Sequence, residues 1–322
     1  MEKIQHLKNT NDIARLYYSL NLIREVEKRV AQIYPSDKIK SPVHLSIGQE
    51  AISVGICEKM KCDDFVVGTY RGHALYLAKD GDLNKFMAEL YGKADGCAAG
   101  KGGSMHLIDM SKNILGGSAV VATNIPIALG YAWKLKQDDK KRIIACFFGD
   151  GATEEGVFYE SLNFASLHNL PILFVCENNG MAIHTGLEKR WSSEDLNARV
   201  SSFNIKSHSL ETMDIFEIGN IAETAITRIR AGKGPEFLEC HTFRWCEHVG
   251  PGEDFDKGYR SKDELNQWQD NDQVNILGQL LRPEEKTEID SKIQKKISEA
   301  VYFAESSPFP KSSELMRHVY AE

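Results

Sequence analysis

The sequence predicts an α/β fold: a parallel sheet flanked by helices, with a helical N-terminal arm and a helical C-terminal tail. Three observations point to it. The stretches "RIIACFF" (142–148) and "LPILFVCEN" (170–178) are continuous apolar runs, as expected of strands buried on both faces. The segment between them, "TEEGVFYESLNFASLH", reads as a helix, so the three together form a parallel βαβ unit. Both ends of the chain carry helical periodicity instead: Ile13, Leu16, Tyr17, Leu20, Ile23, Val26 and Val30 at the start, and Ile289, Ile293, Ile297, Ala300 and Ala304 near the finish.

The N-terminal periodicity spans 12–33, with Thr10 or Asn11 able to cap it. "SPVHLSIGQEAISVGICEKM" is a loop followed by a helix from about Gln49, and "DFVV" (64–67) is a short buried strand. "GTYRGHALYLAKDG" leads into another helix. The glycine-rich "GKADGCAAGKGGSMHL" has no periodicity and is expected to be a loop. "VVATNIPIALGYAWKLK" is a helix with Pro126 in its first turn. Thr153 is the expected N-cap of the helix after the first long strand, with Glu154 and Glu155 complementing its dipole. A further strand, "PEFLECHTFRW" (235–245), runs into a loop rich in Gly, Pro and Asp, and the chain is helical and charged from about 261. The expected organisation is an arm over 1–35, one α/β domain over 36–260, and a tail over 261–322 that packs on the same domain.

Composition narrows the function. The net charge of -7 and the pI of about 5.9 come without a basic footprint, which disfavours a nucleic-acid partner. No apolar stretch approaches the roughly 18 residues of a membrane span, and the first ten residues show no apolar leader. Seven cysteines are present, and no two are spaced C-x-x-C. Cys146, Cys176 and Cys240 lie in apolar runs and read as reduced core thiols, so a cytoplasmic protein is expected.

One feature of the central unit demands an explanation. The apolar run ending at Phe148 stops in Gly149-Asp150-Gly151, which puts a carboxylate at the mouth of a buried strand. Asn178-Asn179 ends the next run. Ligands gather at the carboxyl ends of parallel strands, so the two motifs should meet. Asp, Asn and a backbone carbonyl supply oxygen ligands for a hard cation, and Mg²⁺ completes its shell with phosphate oxygens and water. The small residues Gly149, Gly151 and Ala152 allow close approach of a phosphate, with a helix N-terminus behind them. Taken singly, "GDG" reads as a turn, its Asp as a helix cap, and "NNG" as a tight turn; together, at neighbouring strand ends, they read as a magnesium diphosphate site. "GDGATEEG" is not a dinucleotide fingerprint, because Glu154 holds the third glycine position. "GCAAGKGGS" is not a phosphate-binding P-loop: its glycines are one residue too close and Gly102 stands where Ser or Thr should follow the lysine.

"GDGATEEG…LPILFVCENNG" resembles the thiamin-diphosphate signature, GDG followed after about thirty residues by NN. With "HLSIGQEA", "TYRGHA", "GCAAGKGGSMH", "VVATNIPIALG" and "TFRW…H" followed by "YRS", the chain resembles, from about residue 12 to 310, the alpha subunit of the decarboxylating component of 2-oxo acid dehydrogenases. The resemblance implies a thiamin-diphosphate-binding fold. It implies Mg²⁺ held by Asp150, Asn179 and the Met181 carbonyl, with Gly151 and Ala152 against the diphosphate. Tyr70 and Arg71 match the pair that contacts the diphosphate, and an arginine fork suits phosphate oxygens. Ala119 and Val121 match the segment under the aminopyrimidine, with Val121 as the apolar wedge that bends the cofactor. His248 matches the histidine of the loop over the site, where it orients the diphosphate or serves acyl transfer. His44 and His73 match positions near the substrate channel, where histidines are as readily structural as catalytic.

The implied reaction is thiamin-dependent decarboxylation of a small 2-oxo acid, with the acyl group passed to a lipoyl arm of an acyltransferase component. Pyruvate is the leading substrate and acetoin or a branched 2-oxo acid the alternative. The glutamate that contacts the cofactor pyrimidine comes, in two-chain members, from a separate beta subunit. This implies an α₂β₂ heterotetramer, active only when assembled. Two rival readings are the cofactor-binding half of a split transketolase and a subunit that binds thiamin only for assembly. "GKGGSMH" and "TYRGH" argue against the first, and intact Asp150, Asn179 and His248 against the second. The loop "WCEHVGPGEDFDKGYRS" departs from the pattern: Val249 stands where many members have a serine, and Pro251 and Gly252 alter its shape. Cys246, just before Glu247 and His248, reads as a loop cysteine rather than a reactive thiol.

Overall fold

A computed structural model describes residues 10–138, 140–193, 195–317 and 319–320. Its seven strands are β1 (Phe65–Val67), β2 (Ile144–Gly149), β3 (Ile172–Asn178), β4 (Met181–Ala182), β5 (Thr185–Gly186), β6 (Lys206–Leu210) and β7 (Glu236–His241). Five form one sheet in the order β1-β2-β3-β7-β6, with every pairing parallel. β4 and β5 form a separate antiparallel hairpin.

The continuous apolar runs have a direct cause. Along β2, Ala145 and Phe147 face one hydrophobic cluster, while Ile144, Cys146 and Phe148 face a second on the opposite side of the sheet. Side chains alternate across a strand, so burying both faces makes every position apolar. Helices α1 (Thr10–Ile33), α2 (Glu50–Cys57), α3 (His73–Ala78) and α4 (Leu83–Leu90) lie on the first side. Helices α5 (Asn124–Lys136), α6 (Gly156–Leu167) and α7 (Leu196–Ser201) cover the second. The remaining helices, α8 (Ile215–Arg230), α9 (Lys262–Gln269), α10 (Gln273–Leu280) and α11 (Pro283–Ser306), close the molecule mainly over the first side. Ile293, Ile297, Ala300 and Ala304 of α11 are buried there with Leu20, Ile23 and Val26 of α1, so both chain ends contribute to one core.

Two local expectations are corrected. Thr153 does not cap α6. Residues Asp150–Glu154 form a 3₁₀ turn, Thr153 is buried and donates its hydroxyl to the Asp150 carbonyl at 2.8 Å, and α6 begins only at Gly156 behind Glu155. The last strand is also shorter than 235–245. It ends at His241, after which Thr242 N–H donates to the Asn178 carbonyl at 2.9 Å and the chain leaves the sheet. β6 ("KSHSL") carries no apolar run because its side chains are exposed or half-buried up to Leu210, unlike those of the opposite edge strand β1.

The glycine-rich loop is ordered around an internal anion. The Glu89 carboxylate, at the end of α4 and fully buried, accepts backbone N–H bonds from Ala98 (2.7 Å), Gly100 (2.9 Å), Gly102 (2.7 Å) and Gly103 (3.0 Å). The donors a P-loop would offer to phosphate are thus taken by a carboxylate of the same chain. Each buried donor left without an acceptor costs about 1–3 kcal/mol. Glu89→Ala is therefore expected to destabilise the chain by about 3 kcal/mol or more, and Glu89→Gln by less because one carbonyl oxygen remains, as read from urea denaturation midpoints.

Candidate active site

Because β1, β2, β3 and β7 run parallel, their carboxyl ends open on the same edge of the sheet. A cavity lies there. Its lining includes Tyr70 and Arg71 after β1, Asp150, Gly151 and Ala152 after β2, Asn179 and Met181 after β3, and His248 beyond β7. Four segments distant in sequence therefore meet at one edge of the sheet.

Asp150 is buried at 1% exposure. Burial raises its carboxyl above the usual range, and the Arg190 guanidinium beside it pulls in the opposite direction. Asn179 caps its own turn, its amide oxygen accepting Met181 N–H at 3.2 Å, and its amide nitrogen donates to Gln49 Oε1 at 3.2 Å. Gly151 is needed for close approach: a Cβ there would sit 3.1 Å from the Ala182 Cβ. Among the described residues no group of three His, Cys, Asp or Glu side chains converges as a metal cluster. A site built from one carboxylate, one amide and one carbonyl is not such a group, yet its all-oxygen chemistry suits a hard cation.

Arg71 is the buried cation of the cavity. Its Nη1 donates to the Leu45 carbonyl at 2.7 Å, and its Nη2 to the His248 carbonyl at 3.1 Å with His248 Nδ1 at 3.4 Å. None of these partners is an anion, and burial lowers the arginine's affinity for its proton. A buried guanidinium on the wall of a cavity, hydrogen-bonded to no carboxylate, fits an anionic ligand. His44, Tyr70 and His248 pack beside it, with ring centroids 4.5 Å apart for His44–Tyr70 and 5.1 Å for His44–His248. Gly48, which starts the turn into α2, has φ +97°, and a Cβ there would lie 2.4 Å from the Phe243 carbonyl. That contact fixes "IGQEA" against the strand end that leads to His248.

The other expected residues divide. Val121 lines the cavity and is 44% exposed, its neighbour Val120 64%. Ala119 does not reach the lining, which takes Ser118, Val120, Val121 and Ala122 from this turn. Ala122 adopts a left-handed φ of 64° there. His73 is not brought to the cavity. It is fully buried between Glu27 Oε1 at 3.1 Å and Ser104 Oγ at 2.7 Å, tying α1 to the glycine-rich loop. Cys246 is a packed thiol pushed up to about 12 by burial, which removes its nucleophilic character at neutral pH.

Several site residues escaped the sequence reading. Gln49 stands in the quoted "HLSIGQEA", yet nothing in that string marks it as the partner of Asn179. Glu177 was visible as a charge closing an apolar run. It lines the cavity, and burial raises its carboxyl to about 7, against a lowering by Arg71. Arg190 and Asp254 left no local signal, and the quoted "TFRW" and "YRS" do not show by themselves that Arg244 and Arg260 converge on Asp254. Asp254, wholly buried, takes Arg244 Nη1 at 3.0 Å and Arg260 Nε at 2.6 Å, and both arginines also bond the Cys246 carbonyl. This knot links the "TFRW" and "YRS" motifs and holds the His248 loop.

Removing one partner from a buried ion pair costs about 3–5 kcal/mol. Asp254→Ala is expected to lose that much in denaturant titration, since it strands two buried guanidinium groups. The histidines give a pH signature. Burial, reinforced by Arg71, lowers His44 to about 3 and His248 to about 4. Unfolded histidines titrate near 6.5, so between these values the unfolded chain binds more protons than the folded one. Stability from these rings is complete above about 6.5 and declines as pH falls toward the folded values. His248→Asn is expected to flatten that decline between about pH 6.5 and 4.5 in urea midpoints measured across the range.

The fold and cavity define a class: a parallel α/β protein with an acid and an amide at adjacent strand tips and a buried arginine opposite. Residues 18–313 match the family described as the dehydrogenase E1 component. The chain is 36% identical over 310 residues, 95% of its own length and 92% of the relative's, to the alpha subunit of acetoin:2,6-dichlorophenolindophenol oxidoreductase from Bacillus subtilis (strain 168). It is 37% identical over 322 residues, with 95% and 92% covered, to the pyruvate dehydrogenase E1 component subunit alpha of Porphyra purpurea. It is 36% identical, with 95% and 74% covered, to the chloroplastic pyruvate dehydrogenase E1 component subunit alpha-3 of Arabidopsis thaliana. The chain belongs to the dehydrogenase E1 component family.

Proposed function

We propose that the chain is the alpha subunit of a thiamin-diphosphate-dependent 2-oxo acid dehydrogenase that acts on pyruvate and transfers its acyl group to lipoyl groups. The observation that carries this reading is the meeting of Asp150, Asn179, Met181 and Arg71 on one cavity at the strand ends. Arg71 and Tyr70 take the diphosphate, Gly151 and Ala152 lie along it, and Asp150, Asn179 and the Met181 carbonyl hold Mg²⁺. When bound, thiamin diphosphate supplies the nucleophilic carbon and the electron sink for decarboxylation. His248, neutral when the site is empty, gains a proton more readily once phosphate charge lies beside it. His44 packs behind it and orients the loop.

A second chain completes the site. Val120 and Val121 form an exposed apolar shoulder on the cavity, which supports a cofactor seated between this chain and a beta subunit in an α₂β₂ assembly. A lipoyl acyltransferase component is the acyl acceptor. The acetoin reading is kept beside pyruvate because the Bacillus subtilis relative matches as closely as the pyruvate dehydrogenase subunits. The seven free cysteines support a cytoplasmic location; among the described residues, no helix is long and apolar enough to cross a membrane.

Asp150→Ala is expected to abolish magnesium-dependent uptake of thiamin diphosphate by the complex assembled with its beta chain, as measured calorimetrically. Unchanged uptake would overturn the assignment. A panel of pyruvate, branched 2-oxo acids and acetoin, assayed with that complex, is expected to give the highest kcat/KM for pyruvate.

A further inference from the structure

Arg190 follows the β4–β5 hairpin, in the 187–191 segment, and its side chain is 5% exposed. Its three nitrogens have three separate acceptors. Nη2 bonds Asp150 Oδ2, Nη1 bonds Glu154, and Nε donates to the Thr185 carbonyl at 2.9 Å. Arg190 is not among the residues lining the cavity, whereas Asp150 is. The guanidinium engages Oδ2 of Asp150, and the Asn179 backbone N–H also bonds this carboxylate, so two groups that leave the sheet after β3 hold it in place.

We infer that Arg190 is a positioning residue for Asp150: its fork fixes the carboxylate by Oδ2 and presents Oδ1 to a cation in the cavity. This rests on the magnesium reading given above. Groups that orient a metal ligand from behind commonly change metal affinity by about 10–100-fold when removed. Charge alone makes the opposite prediction. A guanidinium beside the site repels a metal ion, so an arginine acting only through its charge, or one standing in for the missing ion, would tighten metal binding when removed. Orientation and repulsion thus differ in sign.

The test uses the assembled complex at saturating thiamin diphosphate, with Mn²⁺ as the probe and free Mn²⁺ read by electron paramagnetic resonance. Arg190→Met is expected to weaken Mn²⁺ binding about 10–100-fold. Arg190→Lys, which keeps the charge but loses the fork, is expected to weaken it about fivefold or more and keeps the test open should the methionine variant not fold. Thermal melting of the metal-free complex separates the effect from loss of structure: the lysine variant is expected to melt as the parent does while binding Mn²⁺ more weakly. Unchanged or tighter binding in the Arg190 variants, with Asp150→Ala still abolishing it, overturns the positioning role alone. If Asp150→Ala also binds Mn²⁺ as the parent does, the magnesium reading fails and this inference with it.

Discussion

The direction of the strands is the constraint on which the site depends. In a parallel sheet every strand delivers its carboxyl end to the same edge, so loops that are remote in sequence emerge side by side. Tyr70, Asp150 and Asn179 are brought together by β1, β2 and β3, and His248 joins them from the loop beyond β7 that the Arg244–Asp254–Arg260 knot holds. The requirement on the sequence is then that the sheet be covered on both sides. The two apolar clusters meet it, one from α1 to α4 with the C-terminal helices and the other from α5 to α7.

Around that edge most buried charges are paired, and Arg71 is the contrast. Structural charges are closed among themselves, as in Arg244–Asp254–Arg260 and in Arg24, which bonds both Glu50 and Asp272. Arg71, on the cavity, is treated differently: it hydrogen-bonds carbonyls and an imidazole but no carboxylate, and Glu177, also on the cavity, makes no ion pair with it among the described residues. An unpaired buried charge is costly, and its presence on the wall of a cavity separates a binding surface from a scaffold.

The legible part of the molecule was its repetitive part. Apolar runs marked β2 and β3, and helical stripes marked α1 and α11, because burial on two faces or along one stripe leaves a period in the sequence. Asp150 and Asn179 could be read because they interrupt such runs. Strand β6 could not, since most of its side chains are exposed or half-buried and leave no apolar run. The start of α6 was misplaced because Thr153 satisfies its hydroxyl on Asp150 within a 3₁₀ turn, and a string of capping residues does not distinguish that turn from a helix start. His73 was expected at the substrate channel. Its place under the glycine-rich loop follows from Glu27 and Ser104, partners 46 and 31 residues away that no local pattern names. Arg190 and Asp254 were invisible for the same reason: their meaning lies in contacts made only after the chain has folded.

The clasp formed by Glu89 has a further consequence. Both of its halves belong to one polypeptide, so its occupancy does not vary with the concentration of any solute. The segment that leads to Ser104, the partner of His73, is shaped by the chain itself. Ordering that stretch of backbone is a cost met in folding, and none of it is left for a later binding event.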